Sequence, residues 1–165
     1  MVQKMADDQM PSGFSLSLAL VDLIPEVLFL GLGLTAAEKT GSVPVFLGAV
    51  LCVCAGLMKA FWKMFLALRG TDRKLLPVLF RILLPAGFVM MIAGFIAAGS
   101  RARLLFSGML RGAALGFFLA GCAGMAAMVV FMVKVKQRSS VRGNWIEEWT
   151  NIFMQGMFLI SMLLA

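Results

Sequence analysis

Asp22 and Glu26 lie four residues apart in Val21-Asp22-Leu23-Ile24-Pro25-Glu26-Val27, inside a run that is otherwise apolar. On a helix that spacing puts both carboxylates on one face, one turn apart. Lys59 and Lys63, in Gly56-Leu57-Met58-Lys59-Ala60-Phe61-Trp62-Lys63, repeat the spacing with opposite sign in the next apolar run. A charge at the centre of a membrane helix costs about 2.5–3.5 kcal/mol on insertion scales, so each of these groups needs a partner, a route to the interface or a function. Carboxylates so placed can bind a proton, an ion or a small solute, with the lysines as counter-charges. If the two runs form antiparallel helices rising ~1.5 Å per residue, Asp22 meets Lys63 and Glu26 meets Lys59. Glu26, the deeper carboxylate, is the one expected to exchange a proton.

Four further groups belong to the same half of the bundle. Arg81, in Leu79-Phe80-Arg81-Ile82, sits at a depth that lets it join the Asp22 level. Glu147, Asn151 and Gln155 are spaced by four and form one polar stripe. The candidate polar pocket is therefore Asp22, Glu26, Lys59, Lys63, Arg81, Glu147, Asn151 and Gln155. The competing reading is architectural: ion pairs fix the order of the helices, while Lys63 and Arg81 reach for the interface along their aliphatic stems. Arg111 stands apart in the outer half of the fourth apolar run, with no acid at its depth. It snorkels outward, binds an anionic lipid headgroup or marks the true start of that span.

The elements that must position these groups are transmembrane helices. The 165 residues are 61% hydrophobic and 14% charged with a mean hydropathy of +0.96, against roughly 45–50% apolar and about 25% charged in soluble domains. An all-α membrane bundle in a single transmembrane domain follows, with spans at about 15–36, 43–68, 75–99, 104–133 and 146–165 and no room for a soluble domain. The last is the weakest, because its first turns are polar, and it either spans or lies in the interface. The N-terminal stretch Met1 to Gly13 carries Asp7 and Asp8 and lacks a basic start, so it does not read as a signal peptide, and the first helix is expected to be retained. Short connections make consecutive helices antiparallel neighbours. With the N-terminus cytoplasmic, Lys4, Arg69, Arg73, Lys74, Lys134, Lys136, Arg138 and Arg142 fall inside, against Lys39, Arg101 and Arg103 outside. Trp62, Trp145 and Trp149 then lie at the cytoplasmic interface as an aromatic belt.

In the fourth span Gly108, Gly112, Gly116, Ala120 and Gly124 recur every four residues and predict a ridge for close helix packing, within the chain or against a second copy. The net charge of +7 lies mostly in loops, where membrane topology accounts for it, so nucleic acid is not an expected partner. Cys52, Cys54 and Cys122 lie in apolar runs without the spacing of redox or zinc motifs. The fourteen methionines are read as packing or lipid-facing residues and not as a copper path. The absence of histidine excludes imidazole-based catalysis, and few, scattered carboxylates argue against a transition-metal site. No cofactor is expected.

Asp22-Leu23-Ile24-Pro25 with the apolar run after it, and Ala55-Gly56-Leu57-Met58-Lys59-Ala60-Phe61-Trp62-Lys63 in the second span, resemble a group of small uncharacterised multi-pass membrane proteins of Gram-positive bacteria. The resemblance covers about the first half of the chain and implies a bacterial plasma-membrane location and no mechanism. The expected function is the binding or transport of a small solute or ion at a cytoplasm-facing polar pocket, without enzymatic activity. Two alternatives stay open: a non-catalytic scaffold or subunit that docks a partner, its own copy or another membrane protein, through the glycine face, and a lipid-modifying enzyme with Asp22 and Glu26 as acid and base. The lack of a nucleophile motif counts against the last.

Overall fold

The computed structural model describes residues 15–69, 75–134 and 141–165. The acidic N-terminal stretch, with Lys4, and the basic connections that hold Arg73, Lys74, Lys136 and Arg138 lie outside the described residues. All the regular elements described are helices: α1 (Leu16–Val21), α2 (Leu23–Thr40), α3 (Val43–Arg69), α4 (Leu75–Ala98), α5 (Ser100–Met109), α6 (Gly112–Lys134) and α7 (Val141–Leu164). Four stretches, Leu16–Thr40, Val43–Phe65, Leu75–Ala98 and Gly112–Phe131, are long and apolar enough to cross a membrane. The protein is thus an all-α membrane bundle.

Local chemistry explains the boundaries. Ser15 caps α1, its Oγ accepting from the Leu18 N–H at 3.2 Å. The α1 helix stops at Val21 because buried Pro25 has no N–H to offer the Val21 carbonyl one turn back. Asp22 therefore sits at a break between two helical pieces of one span. At the far end Gly41 takes φ +62°, and the Gly41 and Ser42 N–H groups donate to Glu38 O and Ala37 O, each at 3.2 Å. This closes α2 with a left-handed glycine cap. Ser42 then starts α3, accepting from the Val45 N–H at 3.4 Å while its hydroxyl donates to Gly94 O of α4 at 3.2 Å.

The fourth sequence span does not survive as one helix. Gly99 and Gly112 adopt φ +53° and +52°, conformations costly for any residue with a Cβ, and these turns isolate the short helix α5 from α4 and α6. Arg111 immediately precedes α6, so it marks the start of that span. The predicted ridge is broken with it: Gly108 is on α5 against Ala165, while Gly112 and Gly116 have no atom within 4 Å of an added Cβ. Only Gly124 of the ridge glycines on α6 touches α7, next to Met154 and Phe153, and the packed face runs instead through Ala114, Gly121 and Gly124. Gly108 leaves the face because the helix restarts at Gly112, and Gly116 leaves it because each step of four drifts by about 40° around α6.

The fifth segment is a helix of 24 residues that packs beside α6. Gly121 lies against Phe158, and buried Ser161 donates to Ala114 O at 2.9 Å. The polar first turns of α7 are accommodated because they face other helices. Around the bundle the order of packing is α4, α3, α2, α7, α6, with the most extensive contact between α3 and α4. Among the described residues α4 and α6 make no extended contact, and α5 crosses the far end touching α2, α4, α6 and α7. There Leu105 and Met109 of α5 join Ala36, Val45 and Met162 in an apolar core.

The closest backbone approach is between α3 and α4. A Cβ added at Gly87 would lie 2.6 Å from Cys52 Sγ and 2.7 Å from Gly48 O, and one at Gly94 would lie 2.7 Å from Val45 N. Small residues at these crossings let the helices pack backbone to backbone, the device the sequence places on α6. Gly87→Ala should therefore lower stability in detergent by about 1–3 kcal/mol, the usual cost of overpacking. Gly116→Ala should be neutral or stabilising, because alanine favours helix and meets open space. Equal thermal shifts for the two variants would contradict this packing.

Candidate functional site

Three helices converge at the end of the bundle where α1, α7 and the C-terminal half of α3 lie together. Asp22 arrives at the Pro25 break, Lys59 and Lys63 from successive turns of α3, and Glu147 and Glu148 from the second turn of α7. Lys63 Nζ lies 3.0 Å from Asp22 Oδ2 and 2.7 Å from Glu148 Oε1. Lys59 Nζ lies 3.7 Å from Asp22 Oδ1, 3.7 Å from Glu148 Oε1 and 3.2 Å from Glu147 Oε1. Asp22, Lys63, Glu148 and Lys59 thus close a ring of alternating charge. The side chains of Asp22, Lys63 and Glu148 are 4%, 5% and 0% exposed, so the attraction acts with little screening.

The sequence pairs Asp22 with Lys63, and the structure has that pair. It also pairs Glu26 with Lys59, and here the two differ: Glu26 makes no ion pair among the described residues, and Lys59 spends its charge on Asp22, Glu147 and Glu148. The reason is Glu148, buried and absent from the sequence-derived set, which completes the ring from α7 and draws both lysines toward Asp22. Arg81 is exposed on α4 and stays out of the network. Glu147 belongs to it at the periphery, 23% exposed. Glu148 has a sequence signal of its own: Asn144, Glu148, Asn151 and Gln155 follow one another at steps of four, three and four, a better helical stripe than the uniform steps of four through Glu147.

Glu26 instead turns its carboxyl group onto Gly56 of α3, so closely that any Cβ there would collide with it. It forms part of the wall of a cavity of about 340 Å³ in the middle of the bundle. Lys59, Asn151 and Gln155 complete the polar part of that wall, and the remainder is apolar: Phe29 and Leu32 of α2, Cys52 of α3, Phe80, Leu84 and Phe88 of α4, Met125 of α6, Met154 and Phe158 of α7. Gln155 Oε1 is buried without a hydrogen-bond partner, as are Glu148 Oε2 and Asn144 Nδ2 in the layer above. Buried polar atoms are rarely left unmatched in folded proteins, so these mark positions for a proton, water or ligand. The Cys52 thiol is turned to Leu84 O at 3.7 Å.

Of the eight candidate residues, the structure therefore brings Asp22, Lys59, Lys63 and Glu147 into an ion cluster and Glu26, Asn151 and Gln155 to the cavity beneath it. Lys59 borders both. No group of three or more His, Cys, Asp or Glu suited to a metal ion occurs among the described residues.

Lys63→Met should destabilise the protein by about 3 kcal/mol, because Asp22 and Glu148 lose the buried cation between them; Glu148→Gln should cost less, because Lys63 keeps Asp22, and the double variant should recover part of the Lys63→Met loss. Lys59→Met and Glu26→Gln, by contrast, should add without coupling, and Arg81→Ala should leave the melting temperature within a degree or so. Thermal or denaturant unfolding in detergent reads all of these, and strong coupling between positions 26 and 59 would contradict the geometry.

Comparison of the chain with protein families, characterised proteins and solved structures finds no match, so its function is argued from this site alone.

Proposed function

We propose that this membrane protein binds, and in the membrane transports, a small solute or ion at the cavity walled by Glu26, Asn151 and Gln155. The observation that supports this most is Glu26 itself. A carboxylate in an apolar bundle is costly unless it is paired or has a function, and among the described residues Glu26 has no cation within ion-pair distance, while Lys59 and Lys63 are both in contact with other acids. An architectural role would call for the pair that Glu26 lacks. Carboxylates outnumber ammonium groups across the cluster and the cavity together, Asp22, Glu147 and Glu148 in the one and Glu26 in the other against Lys59 and Lys63, so the site is suited to take up positive charge, as a proton or a ligand. With the N-terminus cytoplasmic, the orientation favoured by the distribution of basic residues, the ion cluster faces the cytoplasm.

The purified protein should be stabilised by at least one class among small amines, metal cations, carboxylates and neutral solutes. A ligand at about one hundred times its Kd adds roughly 2.7 kcal/mol. Leu84→Trp, which fills the cavity, should abolish that gain, while Arg81→Ala keeps it. Loss of the gain in neither variant, or no gain with any class, would remove the cavity as a binding site.

A docking role for α6 is the second reading, favoured by the open space beside Gly112 and Gly116. If a second copy packs there, Gly116→Phe should lower the oligomeric mass seen by light scattering in lipid nanodiscs. A wild-type protein that is monomeric at all concentrations disposes of the homo-oligomeric form of this reading.

A further inference from the structure

The cavity differs in character from the ion cluster above it, and the difference narrows what it can hold. Its polar end holds the Glu26 carboxylate, the unpartnered Gln155 Oε1 and the Asn151 amide, so the negative charge and the open acceptor lie together there while the amide groups bring no charge of their own. Among the described residues the one cationic group on its wall, Lys59, is within 4 Å of three carboxylates, its charge already matched. An anion placed here would meet Glu26 without a free cation to offset it.

The rest of the wall rules in size and shape. Phe29, Phe80, Phe88 and Phe158 approach from three helices, with Phe29 and Phe88 in edge contact at 5.9 Å between ring centres. Phenylalanine faces carry negative potential and attract cations within about 6 Å. The volume of about 340 Å³ falls within the range of small-molecule sites. A bare or hydrated metal ion would fill little of it and leave its ligand shell against carbon, which is unfavourable. A molecule with a cationic head and an apolar body meets both parts of the wall at once. Among the described residues α4 and α6, which both contribute to the wall, make no extended contact with one another, and Val89, Ile92, Leu119 and Val129 on these helices are exposed apolar residues suited to hydrocarbon.

We infer that the cavity binds an amphipathic organic monocation bearing N–H groups, its ammonium on Glu26 and Gln155 and its apolar body among the phenylalanines. This rests on the reading of the cavity as a binding site and adds the chemical class of its ligand.

Three probes of one shape and different charge separate the two statements: 4-phenylbutylammonium, 4-phenylbutanol and 4-phenylbutyrate, titrated by calorimetry into the full-length protein in nanodiscs, with empty nanodiscs as the partitioning control. The ammonium should bind at least tenfold more tightly than the alcohol, and the butyrate more weakly still. Glu26→Gln should remove that tenfold preference and leave alcohol binding unchanged. Gln155→Leu, which does not touch the charges, should weaken the ammonium severalfold and serves if Glu26→Gln does not fold. Butyrate or alcohol binding as tightly as the ammonium would overturn the ligand class and leave the binding site standing. An ammonium affinity unchanged in both variants would also overturn it. If none of the three binds above the empty-nanodisc control, the inference and the binding-site reading fall together.

Discussion

Lys63 held between Asp22 and Glu148 is the contact on which the arrangement of this bundle turns. Removing an ammonium and two carboxylates from water costs several kcal/mol for each ion, and only close mutual contact recovers it. Contacts of 3.0 and 2.7 Å on side chains almost wholly removed from solvent meet that demand. Because the three groups come from the α1–α2 break, from α3 and from α7, satisfying them fixes the relative height and rotation of three helices. Generic apolar packing lacks that specificity, since lipid tails compete with leucine as partners. With that register set, Glu26 falls one turn below Asp22, and Asn151 and Gln155 fall one and two turns below Glu148, so the polar wall of the cavity follows from the ion ring.

The second constraint works from the other side of the bundle. The backbones of α3 and α4 meet at Gly48, Gly87 and Gly94, and Ser42 ties the α2–α3 turn to Gly94 O. This holds Phe80, Leu84 and Phe88 at a fixed distance from α3. With α6 carried on α7 and α5 laid across the far end, the helices surround the middle of the bundle without α4 and α6 closing on one another. A clamp at one end and an apolar plug at the other leave a void between them.

Much of this is legible in the sequence, and the losses have identifiable causes. Hydropathy marks the membrane helices because backbone in lipid must bond internally, so that long apolar runs have few alternatives. The spacing of Asp22, Glu26, Lys59 and Lys63 places them on facing sides, and depth matches Asp22 to Lys63 correctly. The error at Glu26 and Lys59 comes from treating two helices in isolation: a third helix brings Glu148, and the lysines follow the larger negative charge. Glu147 draws attention in the linear pattern, yet its neighbour is the buried one, a difference of 100° around the helix that only the phase of the whole stripe, Asn144 to Gln155, resolves. The glycine ridge fails for a different reason. It assumes one continuous helix with a four-residue repeat, whereas the glycine at positive φ cuts Gly108 off from the rest, and within α6 each step of four drifts by about 40° around the axis, so Gly116 and Gly124 do not share a face.

Gly56 shows why the cavity is more than a packing remainder. Glu26 lies flat against the one position of α3 where no Cβ stands in its way, and an alanine there would push it aside. Had the bundle required only stability, an apolar side chain at position 26 would fill the space beside Gly56 with no charge to desolvate, a replacement that is commonly neutral or stabilising even for paired buried ions. The chain instead has a carboxylate, a complementary hollow in the neighbouring helix to receive it, and a network that occupies both nearby lysines and so leaves it free. The unpaired carboxylate and the hollow beside it cost stability or add nothing to it. Together they hold one acidic group in a fixed position at the edge of an aromatic space, an arrangement that the demands of folding do not require and that fits the proposed recognition of a positively charged molecule.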